Sequence, residues 1–263
     1  MKRSMEKALI RKDIRAITAN RRLLAALWIV PLVMTILLPT ILICVIAFAP
    51  LESDELQSLA TLLPANLSAA ELRGTVADLI FNSMLPLFFL MIPIMAASVM
   101  AASSFVGEKE KRTLETLLLS PMSLRQIFYA KILAAFLLSM AVSLLSFAAM
   151  LFVAEAESFF LMEHFILPSV NWIVLLLLVS PAVSLLAITL IVQGSAKAQT
   201  VEEAQQRGAF LVLPVIILAA AQFSGLLLLS IWILLIFGIL CAAVAVWMMR
   251  RSYRHFTYET LLK

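Results

Sequence analysis

No charged side chain occurs between Arg22 and Glu52, and none from Gly208 to Met249, a run of 42 residues. Runs of this kind leave few ways to fold. A helix of about 20 apolar residues crosses the hydrocarbon of a bilayer, and long charge-free runs are what the bilayer requires. The chain has 263 residues, 63% of them hydrophobic, with a mean hydropathy of +1.05. Soluble domains sit at roughly 45–50% apolar. The sequence therefore predicts an all-α polytopic membrane protein.

Residues 1–22 carry eight Lys or Arg, and Leu9, Ile10, Ile14 and Ile17 recur at helical spacing. This pattern predicts an amphipathic helix lying at the inner membrane surface, its basic face on anionic lipid. A basic segment followed by so long an apolar run reads as a retained anchor, not a cleaved signal. Six spans are predicted, at about 23–49, 79–106, 128–154, 168–193, 208–222 and 226–249, with kinks at Pro31 and Pro39 in the first. The last charge-free run is too long for one span. At about 1.5 Å per residue it would reach about 63 Å, so a turn at Gln222–Gly225 is expected to divide it. Ser68 with Glu71, Ser123 with Gln126 and Thr200 with Glu203 have the spacing of helix-capping boxes.

Placement of charge tests this plan. Nineteen of the twenty Lys and Arg fall in the N-terminal segment, in 107–131, in 194–208 and in the tail; only Arg73 lies elsewhere. Basic residues concentrate on the cytoplasmic side. Both termini and the two basic loops are thus expected in the cytoplasm. The segments around 50–78 and 155–163, rich in Asp and Glu, are expected outside.

Much chemistry is missing. A phosphate-binding loop needs the spacing G-x-x-x-x-G-K-[ST], and no pair among the six glycines has it. Cys44 and Cys241 lie inside apolar runs and read as packing residues. His164 and His255 fall on opposite sides and read as solvated surface histidines. No catalytic or metal-binding cluster stands out, and the span interiors are expected to lack charge. Small hydroxyls do recur at Ser98, Ser139, Ser143, Ser146, Ser180 and Ser184. They read either as a mildly polar pathway lining or as helix packing through small residues.

The most patterned stretch is Gly107–Lys131, GEKEKRTLETLLLSPMSLRQIFYAK. Gly107 is expected to end the second span. Glu108 and Glu110 then fall in the first turn of a new helix, where the helix dipole favours anions. Leu114, Leu117 and Leu118 form an apolar stripe, Ser120-Pro121 stops the helix, and Ser123 opens the next one.

Glu108-Lys109-Glu110-Lys111-Arg112-Thr113-Leu114-Glu115-Thr116-Leu117-Leu118, with Ser120-Pro121-Met122-Ser123 and Lys131, resembles the cytoplasmic motif of membrane subunits of type-2 ABC exporters. Arg112 stands where that family often has Gly, so a continuous helix is expected there in place of a tight bend. The loop Ser195–Gln205 further resembles the sodium-extrusion (Nat-type) subgroup. The resemblance implies a permease in a bacterial plasma membrane, without enzymatic activity of its own. It implies pairing with a second copy or paralogue and with two separate ATPase subunits that bind ATP and Mg. It also implies a coupling element at 107–127 and coupling roles for Glu108, Glu110, Thr113, Leu114, Glu115, Pro121, Ser123 and Arg125. Membrane lipids are the other expected partner, and no nucleic acid is. A membrane-embedded enzyme or a non-transporting scaffold is the alternative class. The transported substrate is left open: an amphipathic peptide, a drug, a lipid-like molecule or sodium.

Overall fold

The computed structural model describes residues 2–48, 69–113, 122–195, 198–223 and 230–255. Regular structure among the described residues is entirely helical. Helix α1 (Lys2–Ala19) stops at Asn20, whose side-chain oxygen faces the Leu23 N–H at 3.5 Å and caps the next helix. Then come α2 (Arg21–Leu32) and α3 (Leu38–Phe48), α4 (Ala69–Leu79), α5 (Leu85–Phe89) and α6 (Met91–Glu110). Helix α7 (Leu124–Met162) is followed by α8 (Val170–Val174), α9 (Ser180–Gly194), α10 (Val201–Ala209), α11 (Val212–Phe223) and α12 (Ile231–His255). Joined end to end, they make six helical stretches long and apolar enough to span a membrane.

Three joints share one construction. Val33–Leu37, Ile80–Met84 and Leu175–Val179 are π turns, and each ends two residues before a proline: Pro39, Pro86 and Pro181. A proline lacks the N–H that the helix needs, and its ring crowds the carbonyl four residues back. The wider turn relieves both. Leu38, Leu85 and Ser180 donate to the carbonyls of Val33, Ile80 and Leu175, five residues back. The first span's kink thus takes the form of a π turn between Pro31 and Pro39, where Thr35 Oγ1 also donates to Pro31 O at 2.7 Å.

Helix α6 is the axle of the bundle. Almost every side chain from Ile92 to Glu108 is buried, against α7, α9 and α10. Small residues make the close approach possible: a Cβ at Gly208 of α10 would overlap the Ser98 side chain of α6. An aromatic cluster fills the core beside it. Trp172 is fully buried, with ring centroids 5.3 Å from Phe81, 5.5 Å from Phe89 and 5.0 Å from Phe147.

Several expectations are corrected. The second stretch does not end at Gly107 but runs to Glu110, because nothing in a lone glycine stops a helix whose next residues are good helix formers. Glu155 and Glu157 are not in a loop. They belong to α7, which has 39 residues and continues to Met162, where the left-handed Glu163 (φ 53°) ends it. At about 1.5 Å per residue α7 is about 58 Å long, well over the hydrocarbon thickness. The fifth stretch is interrupted by a turn at Phe210 and Leu211. Helix α1 also packs on the bundle: Leu9, Asp13 and Ile17, one stripe at four-residue spacing, are buried. His164 is half-buried, its Nε2 2.8 Å from Asp78 Oδ2. Ser68, the Ser224–Gly225 turn and the end of the tail lie outside the described residues.

The acidic end of the bundle is tied by single polar contacts. Arg73 Nη1 donates to Ala47 O at 2.6 Å, Thr40 Oγ1 to Glu157 Oε1 at 2.5 Å, and Asn82 clamps the 164–169 connection through Leu167 O and Ser169 N–H. The aromatic cluster gives the bundle a test of its own. Trp172→Ala removes the largest buried side chain and is expected to lower stability by about 3–5 kcal/mol, measured as loss of helical signal on heating in detergent.

Candidate functional site

The stretch Gly107–Lys131, singled out by its sequence, begins in the last turn of α6. Lys111 N–H bonds Gly107 O at 3.1 Å, Arg112 N–H bonds Lys109 O at 3.1 Å, and Thr113 N–H reaches back to Glu108 O at 2.9 Å. This is the Schellman arrangement, which closes a helix through one left-handed residue, usually glycine. Here that residue is Arg112, at φ 55°. The continuous helix expected from Arg112 is therefore not formed: satisfying the last carbonyls outweighs the strain of a left-handed arginine. Glu108 and Glu110 consequently sit in the last turn of α6 instead of the first turn of a new helix.

That position opposes the helix dipole, and each carboxylate meets a compensating group. Glu108 is buried. Its Oε1 accepts from Lys12 Nζ at 2.7 Å, and its Oε2 lies 3.0 Å from Lys131 Nζ. Lys131, on the second turn of α7, is only 3% exposed. It also donates to Ser104 O at 2.5 Å, lies 3.6 Å from Asp13 Oδ2, and stands over the Phe105 ring at 5.6 Å. Ser104 Oγ completes the network by donating to Asp13 Oδ2 at 2.7 Å. Two cations and two carboxylates from α1, α6 and α7 thus form a neutral buried cluster, with Lys12 on its exposed rim. The expectation of charge-free span interiors fails at Lys131, because its charge is carried inside only with these partners.

Glu110 points the other way. Its Oε2 accepts from the N–H of Val201, the first residue of α10, at 3.2 Å. The carboxylate therefore lies between the C-terminus of α6 and the N-terminus of α10, where the α10 dipole favours it. Thr200 caps α10 by accepting from Glu203 N–H at 3.2 Å, while Glu203 Oε2 accepts from Gln199 N–H at 3.0 Å. Arg207 links Glu203 (3.1 Å) to Gly194 O (2.9 Å) at the end of α9.

Thr113 is exposed, its hydroxyl 3.3 Å from Glu108 O. Ser123 opens α7 with both halves of a capping box in place, Gln126 reaching back to its N–H at 3.0 Å. Arg125, in the first turn of α7, is exposed. Leu114, Glu115 and Pro121 lie outside the described residues. The six serines are all buried. Ser98, Ser139 and Ser143 donate to carbonyls of their own helices (Ile94, Phe136 and Ser139), and Ser184 lies 3.5 Å from Pro93 O across to α6. The hydroxyls of Ser146 and Ser180 are buried without a partner among the described residues.

Residues 6–224 match the ABC-2 type transporter membrane family. The chain belongs to that family. It is the permease component of an ABC-2 type transporter, a multi-pass membrane protein of six apolar helical stretches. Neither a comparison with curated proteins nor one with solved structures returned a match. Within this ABC-2 permease, Asp13 and Ser104 are cluster members that reading for a docking motif passes over, while Lys131 belongs to the motif but carries none of the coupling roles inferred from it. Two signals mark them: an acid on an otherwise apolar stripe with Leu9 and Ile17, and a lysine isolated at the start of a charge-free run.

Two substitutions probe this end of the permease. Lys131→Met leaves Asp13 and Glu108 buried without their shared cation. Breaking such a pair is expected to destabilise by about 3–5 kcal/mol, seen as a lower melting temperature in detergent. Arg112→Gly relieves the left-handed backbone and is expected to raise stability by about 1 kcal/mol. A fall instead would show that the arginine side chain holds the turn.

Proposed function

We propose that this permease is the membrane half of an ATP-driven exporter, working as a dimer with a second copy or a paralogue. ATP and Mg are bound by separate ATPase subunits, against which the segment following Thr113 docks. The observation that carries this reading is the end of α6. Two carboxylates two residues apart hold α1 and α7 on one side and α10 on the other. The chain leaves that point directly into the coupling segment. A push on the segment therefore acts on four helices at once.

In this reading the basic end, with both termini, faces the cytoplasm of a bacterium, and Glu108, Glu110, Thr113, Leu114, Glu115, Pro121, Ser123 and Arg125 transmit the motion. Ser146 and Ser180 are the serines best placed to face a moving substrate, since their hydroxyls are not engaged by their own helices. Apolar spans suit an amphipathic peptide, a drug or a lipid-like molecule. Sodium is the alternative suggested by the likeness of the Ser195–Gln205 loop to the Nat-type subgroup.

The test is ATP hydrolysis by the complex purified from native membranes through this chain. Leu114→Ala with Glu115→Ala is expected to reduce the recovered ATPase subunit about tenfold, the loss of roughly one interface anchor. Glu110→Ala is expected to leave recovery intact while lowering substrate-stimulated hydrolysis several-fold. Unchanged recovery and hydrolysis in both variants would overturn the coupling assignment.

A further inference from the structure

Helix α1 has a second working face. While Leu9, Asp13 and Ile17 face the bundle, Lys7, Arg11 and Arg15 follow one another at four-residue spacing along a cleft between α1 and α7. The cleft has a volume of about 680 Å³ and is lined by these three cations, Glu6, Ile10, Ile14, Leu133 and Leu137. That volume is within the ~300–1,000 Å³ of small-ligand sites. Among the described residues no ion pair engages Lys7, Arg11 or Arg15. Glu6 is the only acid in the lining, so the rim is net cationic.

The floor is apolar and open: Leu133 is 46% exposed and Leu137 48%. Leu144, seven residues beyond Leu137 and also exposed, continues the same stripe of α7. From Leu133 to Leu144 the helix advances about 16 Å, close to half the ~30 Å hydrocarbon thickness. A cationic rim thus sits at the head of an apolar track one leaflet long. Water-soluble anions would use only the rim, and a neutral apolar molecule only the track.

We propose that this cleft binds one anionic glycerophospholipid, its phosphate held by Lys7, Arg11 and Arg15 and one acyl chain laid along Leu133 and Leu137. The assignment rests on the reading that α1 lies at the cytoplasmic membrane surface. The lipid would sit in the cleft beside the face of α1 that carries Asp13, bracing the helix next to the cluster that ties it to α7.

Native mass spectrometry of the full chain in detergent tests this, with phosphatidylglycerol and phosphatidylcholine of identical acyl chains as probes. One phosphatidylglycerol per chain is expected to bind at least about tenfold more tightly than phosphatidylcholine. Arg11→Gln with Arg15→Gln should weaken it about 30-fold, given roughly a fivefold contribution from each cation near a lipid surface. Leu133→Trp with Leu137→Trp fills the track while keeping every charge, and should also abolish retention. Arg250→Gln, exposed and basic but outside the cleft, should change nothing.

Equal binding of the two lipids overturns the proposal. So do equal losses in Arg250→Gln, undiminished binding in the tryptophan pair, or competition by glycerol 3-phosphate at matched concentration. The readout needs neither ATPase nor transport, so it fails or holds apart from the exporter reading.

Discussion

One buried ammonium group governs the basic end of this molecule. Lys131 is almost wholly enclosed, yet it begins a helix that must enter hydrocarbon. An isolated cation there would be prohibitive, so its position is tolerable only while Asp13 and Glu108 stay within reach. Those carboxylates come from different helices. The electrostatic requirement of one side chain therefore adds a directional constraint to the placement of α1, α6 and α7, which also pack through apolar contacts there, Phe105 on Phe128 and Leu9 on Ile127. Hydrophobic contact alone would let them slide, since apolar packing is non-directional.

The end of α6 shows how a locally unfavourable choice is made stable by its surroundings. Two acids at a helix C-terminus and an arginine in left-handed conformation both run against local preference. Each acid is matched by a group from another helix, and the left-handed arginine lets the last carbonyls find donors. Conflicts between local preference and tertiary demand of this kind are more common at functional sites than elsewhere.

Much of the architecture was legible because the bilayer simplifies the rules. Charge-free runs located six helical stretches, and the Ser123 and Thr200 caps were readable from spacing alone. Failures came where a local signal competed with a distant partner. Gly107 looked like a stop, but the donors that end the helix come from Lys111, Arg112 and Thr113. Glu108 and Glu110 looked like first-turn acids because sequence carries no record of Lys131 or of the α10 N-terminus beside them. Glu155 and Glu157 looked like loop residues because charge was equated with the end of a helix, whereas α7 continues beyond the hydrocarbon. His164 looked solvated because its partner, Asp78, is 86 residues away.

The π turn before Pro39 has a geometric consequence for the first span. Leu27, Pro31, Thr35, Pro39, Ile43 and Ala47 are all buried, an unbroken series at intervals of four. In a uniform α-helix each step of four drifts by about 40°, so five steps would wind that line about 200° around the rod and turn its far end to the lipid. One extra residue in a wide turn takes back about 100° of the winding. The proline joint thus works as a partial phase correction: it removes about half of the winding and keeps one edge of a long rod against α7 along its length.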